Sequence, residues 1–156
     1  MSHANIIIKV LQFCLCLIFI IAGYAKIKVI YTFQSVVETY IELYVPFRLN
    51  SYIMAWGISI LEIVLGLTGT ISIFSKNLYF HIQSGRIISL CLMILLIIFT
   101  YFTGINALFP TELGSVESCG CFGEWLHFSP VAAFIRNLVL LIISTTIMLW
   151  YNMTKL

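Results

Sequence analysis

Residues 51–74 read SYIMAWGISILEIVLGLTGTISIF, an apolar run that carries a single charge, Glu62. A helix that crosses a bilayer needs about 20 mostly apolar residues, and this stretch is long enough. Outward from it, comparable runs occupy residues 6–25, 84–103 and 130–150. The pattern predicts an all-α fold, a four-helix transmembrane bundle forming one integral membrane domain over residues 1–156. Composition points the same way. Apolar residues make up 62% of the chain and charged residues 9%, with a mean hydropathy of +1.09, whereas a water-soluble domain carries about 25% charged residues. Such a chain takes lipid as its solvent. The net charge of +2 is small and scattered along the chain, which excludes a nucleic-acid surface.

The first run resembles a signal peptide in one respect, since Lys9 precedes an apolar segment ending in the small residues Ala22, Gly23 and Ala25. Its apolar core is longer than the usual 7–15 residues, so it reads as a span. Lys9, Lys76, Arg86 and Lys155 fall on one side of the four spans, and Lys26, Lys28 and Arg48 on the other. The excess of basic residues places both termini in the cytoplasm. The segment 105–129 then lies outside, where disulfides persist. Between the first two spans, Ile30, Phe33, Val37, Tyr40, Ile41 and Tyr44 recur at helical spacing opposite Gln34, Ser35, Glu38 and Glu42. This predicts a short interfacial helix, ending near Val45 because Pro46 disfavours helical geometry in the residue before it. The short Ser75-Lys76-Asn77 connection predicts antiparallel neighbours on either side of it.

The sharpest chemical signal is Cys119-Gly120-Cys121-Phe122-Gly123, just before the last span. Two cysteines one residue apart can close a small strained disulfide, and strained or exposed disulfides tend to be the labile kind. A static disulfide that stiffens the loop is the alternative, and the residues alone leave both open. A zinc site is disfavoured, because only His127 stands nearby as a further ligand, and no metal is expected. Cys14, Cys16 and Cys91 lie within spans and read as small hydrophobes.

Ionisable groups inside a bilayer are costly and are functional candidates. Glu62 lies roughly 15 Å deep and Arg136 roughly 9 Å below the outer surface, at 1.5 Å of rise per residue. Lys26 closes the first span on the same side. The expected polar core is a Glu62 to Arg136 pair completed by Lys26, serving as a structural lock or in proton transfer or quinone binding. Gly57, Gly66 and Gly69, with Ala22 and Gly23, mark close helix contacts. Tyr52, Trp56, Trp125, Trp150 and Tyr151 read as interfacial anchors.

Several of these elements together resemble the MauE branch of the DoxX-like integral membrane proteins. They are Ala22-Gly23-Tyr24-Ala25-Lys26, Tyr44-Val45-Pro46, Glu62 with Gly66, Cys119-Gly120-Cys121-Phe122-Gly123 followed by Ser129, and Arg136-Asn137-Leu138. The likeness covers nearly the whole chain. It implies a bacterial inner-membrane protein with four helices, associated with redox maturation of extracytoplasmic proteins. It also implies that Cys119 and Cys121 are the redox pair, with Lys26, Glu62 and Arg136 the polar core beneath them.

Two functions are consistent with these readings. In one, the Cys-Gly-Cys loop exchanges disulfides with a thioredoxin-like partner or a secreted client, and a quinone or a second redox protein takes or gives the electrons. No resident cofactor is evident in the sequence. In the other, the protein is a non-enzymatic scaffold or assembly subunit of a larger complex, and the cysteines only hold the loop.

Overall fold

The structure, a computed structural model, describes residues 3–44, 50–75, 78–108 and 129–153. Five helices follow one another along the chain: α1 (His3–Lys28), α2 (Ile30–Tyr44), α3 (Ser51–Phe74), α4 (Leu78–Leu108) and α5 (Pro130–Met153). Four of them, all but α2, are long and apolar enough to cross a membrane, as expected. Helix α3 has the predicted boundaries, while α4 runs beyond its predicted span at both ends. The outward faces of all four are lined with large apolar side chains, among them Ile7, Ile71, Ile98 and Ile142. A water-soluble surface does not gather apolar area on this scale, and a bilayer accommodates it.

Local chemistry sets the helix starts. The Asn50 side chain accepts hydrogen bonds from the backbone N–H groups of Tyr52 (3.0 Å) and Ile53 (3.3 Å), which caps α3. Ser129 does the same for Ala132 (3.3 Å) at the start of α5. There Pro130 occupies the first helical position, where its missing N–H costs nothing. Only Val29 separates α1 from α2. Its N–H bonds back to the Lys26 carbonyl at 3.2 Å, a tightened i to i−3 turn.

Helices α1 and α3 pack antiparallel, and glycine makes the contact close. A Cβ on Gly23 would sit 2.7 Å from the Ser59 carbonyl oxygen and 2.8 Å from Ile63 Cγ1. One on Gly66 would sit 2.7 Å from the Cys16 carbonyl oxygen. Without hydrophobic attraction between helices in lipid, such small residues let backbones approach and gain dispersion contact. Gly57, expected to join this seam, instead faces open space. It stands on the outer side of α3, away from α1.

The second antiparallel pair is α4 with α5. Gly85 accepts the Tyr151 ring, the Ser144 hydroxyl donates to the Ser89 carbonyl at 3.3 Å, and Gly104 faces Phe134. Ser72 and Ser84 share a 2.7 Å hydrogen bond and tie α3 to α4 across their short connection. Leu15, Cys16, Phe19, Leu92, Leu96, Leu140 and Ile147 form the main core between the two pairs. Tyr151, expected at an interface, lies inside this core at 1% exposure, and its hydroxyl donates to Gln12 Oε1 at 2.5 Å. The missing Cβ at Gly85 makes room for its ring, and Gln12 satisfies its oxygen.

Helix α2 places Ile30, Phe33 and Val37 against Ala55 of α3, flanked by Trp56 and Ile58. Of the stripe expected from the sequence, Ile30, Phe33, Val37 and Ile41 make this contact, with Val36 buried beside them, while Tyr40 meets Phe102 of α4 and the Tyr44 side chain lies outside the described residues. Because α1 ends level with the middle of α3, the first turns of α3 project past it, and α2 packs on that projecting part. The turn at Val29 thereby lays α2 over the end of α1.

Candidate functional site

The site begins with Lys26 in the last turn of α1. Its neighbour Gly23 brings α1 against α3 at Ser59 and Glu62, so the Lys26 side chain meets Glu62 directly. Lys26 Nζ donates to both carboxylate oxygens, Oε1 at 2.5 Å and Oε2 at 2.6 Å. Each residue is 1% exposed. The ammonium also lies 5.0 Å from the Phe99 ring centroid and 5.5 Å from that of Phe33. The negative ring faces complement the cation on the sides that the carboxylate does not reach. Phe33 comes from α2 and Phe99 from α4, so Lys26 is enclosed by three helices besides its own.

Arg136 approaches the same place from α5. It lines one cavity with Lys26, Glu62, Phe99 and Asn137, closed on its apolar side by residues such as Ile18 and Leu140. The cavity volume is about 20 Å³, room for about one water molecule. The Arg136 guanidinium donates to Asn137 Oδ1 from Nε at 3.3 Å and from Nη2 at 3.0 Å. Asn137 Nδ2 in turn donates to the Thr103 hydroxyl at 3.3 Å, and that hydroxyl donates to the Phe99 carbonyl at 2.7 Å. Asn137, Thr103 and the nearby Asn106 are all buried. A polar track thus runs from the cavity along the α4 and α5 seam.

Lys26, Glu62 and Arg136 are therefore brought together, but in a different arrangement from the one expected. The ion pair of Glu62 is with Lys26, while Arg136 binds Asn137 and forms the cavity wall. The reason is helix packing: α3 lies directly against α1, whereas α5 packs mainly on α4 and meets α1 across the core. Lys26 is also not a boundary lysine, because α2 and Phe99 cover it. Among the described residues Lys26 and Glu62 are the buried charges, and Arg136 is half-buried beside them.

Asn137, Thr103, Phe33 and Phe99 were not singled out as site residues from sequence. A polar amide within an apolar span is the signal that would have found Asn137. Among the other cysteines, Cys16 is buried against Gly69, Cys14 is exposed on the outside of α1 and Cys91 is half-buried. Cys119 and Cys121 lie outside the described residues. The segment bearing them connects the end of α4 at Leu108 to the start of α5 at Pro130. Arg136 and Asn137 lie about two turns into α5 from that junction.

The chain matches the family described as methylamine utilisation protein MauE over residues 4–151. No curated protein and no solved structure matches it.

Proposed function

The chain belongs to the MauE family, and from that premise we propose that it handles disulfides in extracytoplasmic proteins through Cys119 and Cys121. Both termini then face the cytoplasm of a bacterial inner membrane, and the loop faces outward. A thiolate of the reduced loop attacks a sulfur of a partner's disulfide, forming a mixed disulfide and releasing one partner thiolate. The second loop cysteine attacks the mixed disulfide and frees the partner as a dithiol, leaving the loop oxidised by two electrons. A second thiol–disulfide protein, or a quinone, takes part in the return half of the cycle. Run in reverse, the same exchange forms the partner's disulfide.

The observation that carries this reading is the buried Lys26 and Glu62 pair, with half-buried Arg136 beside it at the wall of a small cavity. Burying an ion pair in a bundle brings no stability that apolar packing would not match, and charges within a membrane mark functional sites. The cluster lies toward the bundle end at which the cysteine loop joins α4 and α5. In that exchange the thiolate is the nucleophile. Trapping tests the proposal. With Cys119 or Cys121 changed to serine, one of the two variants accumulates a mixed disulfide with a partner that is released by reductant. If neither single variant captures a partner and the double variant keeps full biological activity, the cysteines only hold the loop and the protein is a scaffold.

A further inference from the structure

At the opposite end of the bundle, where α1 begins and α5 ends, a groove of about 310 Å³ opens between α4 and α5. Gln83, Arg86 and Asn152 line one part of it, and Ile87, Leu90 and Met148 the other. The division follows depth. Gln83 opens the apolar part of α4 and Asn152 is the next-to-last residue of α5, so the polar residues stand where headgroups begin. Leu90 lies about 10 Å further in along α4, and Met148 about 6 Å inward of Asn152. Ile87 and Leu90 expose 56% and 43% of their surface, as acyl-chain contacts would.

Arg86 is exposed beside this groove, and none of its donors is used by a described residue. A guanidinium at a membrane boundary with no partner among the described residues calls for an anion, and its planar fork matches the oxygens of a phosphodiester. The amides of Gln83 and Asn152 add neutral donors beside it. No acid lines the groove among the described residues, so nothing in it would accept the ammonium of a zwitterionic headgroup.

We propose that this groove binds a phospholipid with a net negative headgroup, its phosphate on Arg86, Gln83 and Asn152 and one acyl chain along Ile87, Leu90 and Met148. The site is independent of the cysteine loop and of which leaflet the termini meet. The test uses the full chain in neutral detergent and reads bound lipid by native mass spectrometry, with phosphatidylglycerol and phosphatidylcholine offered at equal concentration. The wild type prefers phosphatidylglycerol by about tenfold, because phosphatidylcholine brings the same phosphodiester together with a quaternary ammonium that Arg86 repels. Arg86→Gln weakens phosphatidylglycerol binding and removes its preference over phosphatidylcholine, and Lys9→Gln, at a basic residue of the same end, leaves both unchanged. Ile87→Trp fills the apolar part of the groove with Arg86 intact and weakens binding of both lipids, so it decides the matter if Arg86→Gln does not fold. Equal binding of the two lipids, or unchanged phosphatidylglycerol binding in either groove variant, overturns the proposal. Inorganic phosphate that occupies the site without lipid overturns it in favour of a free anion.

Discussion

Replacing one partner of the Lys26 and Glu62 pair isolates the energetics at the centre of the fold. Both side chains are 1% exposed, so neither water nor salt screens the charge that remains. At an effective dielectric of about 20, two unit charges about 4 Å apart attract by about 4 kcal/mol. Breaking a buried pair by removing one member costs about 3–5 kcal/mol, because the other charge is left without compensation. Glu62→Leu strands the ammonium between Phe33 and Phe99, and Lys26→Met strands the carboxylate. Each is expected to destabilise the protein by about 3–5 kcal/mol in equilibrium unfolding in mixed micelles. The double variant is expected to recover most of that loss, since two apolar groups of similar length fill the same space. The coupling energy from the full cycle is then at least about 4 kcal/mol. Single variants within about 1 kcal/mol of the wild type would be the behaviour of a solvent-exposed pair and would refute the enclosed site.

Other substitutions probe the packing that builds the site. Gly23→Ala pushes a methyl group to within 2.8 Å of Ser59 and Ile63 and costs about 1–3 kcal/mol, whereas Gly57→Ala, with open space around it, stabilises α3 by up to about 1 kcal/mol. The same unfolding assay reads both, and equal effects would show that the α1 and α3 seam is misplaced. Tyr151→Phe removes the hydrogen bond to buried Gln12 and costs about 1–3 kcal/mol; a loss under about 0.5 kcal/mol would mean that the ring alone matters. Asn50→Ala removes the cap of α3 and costs about 1 kcal/mol, recovered in large part by Asn50→Ser, which restores a capping oxygen.

The four spans were legible because apolar length is a strong signal and lipid leaves a chain few alternatives. Much of the amphipathic stripe of α2 was legible for a different reason, the helical period of Ile30, Phe33, Val37 and Ile41. What could not be read was the partner of that stripe, since it depends on α3 projecting beyond α1. In the sequence Lys26 reads as a boundary lysine, because it stands at the end of an apolar run. The turn at Val29, which folds α2 back over it, together with Phe99 of α4, makes it a buried cation. The choice of Lys26 over Arg136 as the partner of Glu62 also rests on tertiary register. The clues were in the chain: Gly23 lies one turn before Lys26 and Gly66 one turn after Glu62, marking the two faces that meet. Tyr151 misled because aromatic residues near a span end usually anchor at the interface, and its fit against Gly85 shows only in three dimensions.

The proposed function requires that Cys119 and Cys121 act as a redox-active pair. The measurement that bears on it most directly is the reduction potential of that pair, taken on the full chain with Cys14, Cys16 and Cys91 replaced by alanine and poised in glutathione or dithiothreitol buffers. Exchange with a partner requires a potential above about −300 mV, in the range of labile and catalytic disulfides. A pair that stays oxidised below about −300 mV would be a structural disulfide. That result, or cysteines that form no disulfide with one another, would contradict the account.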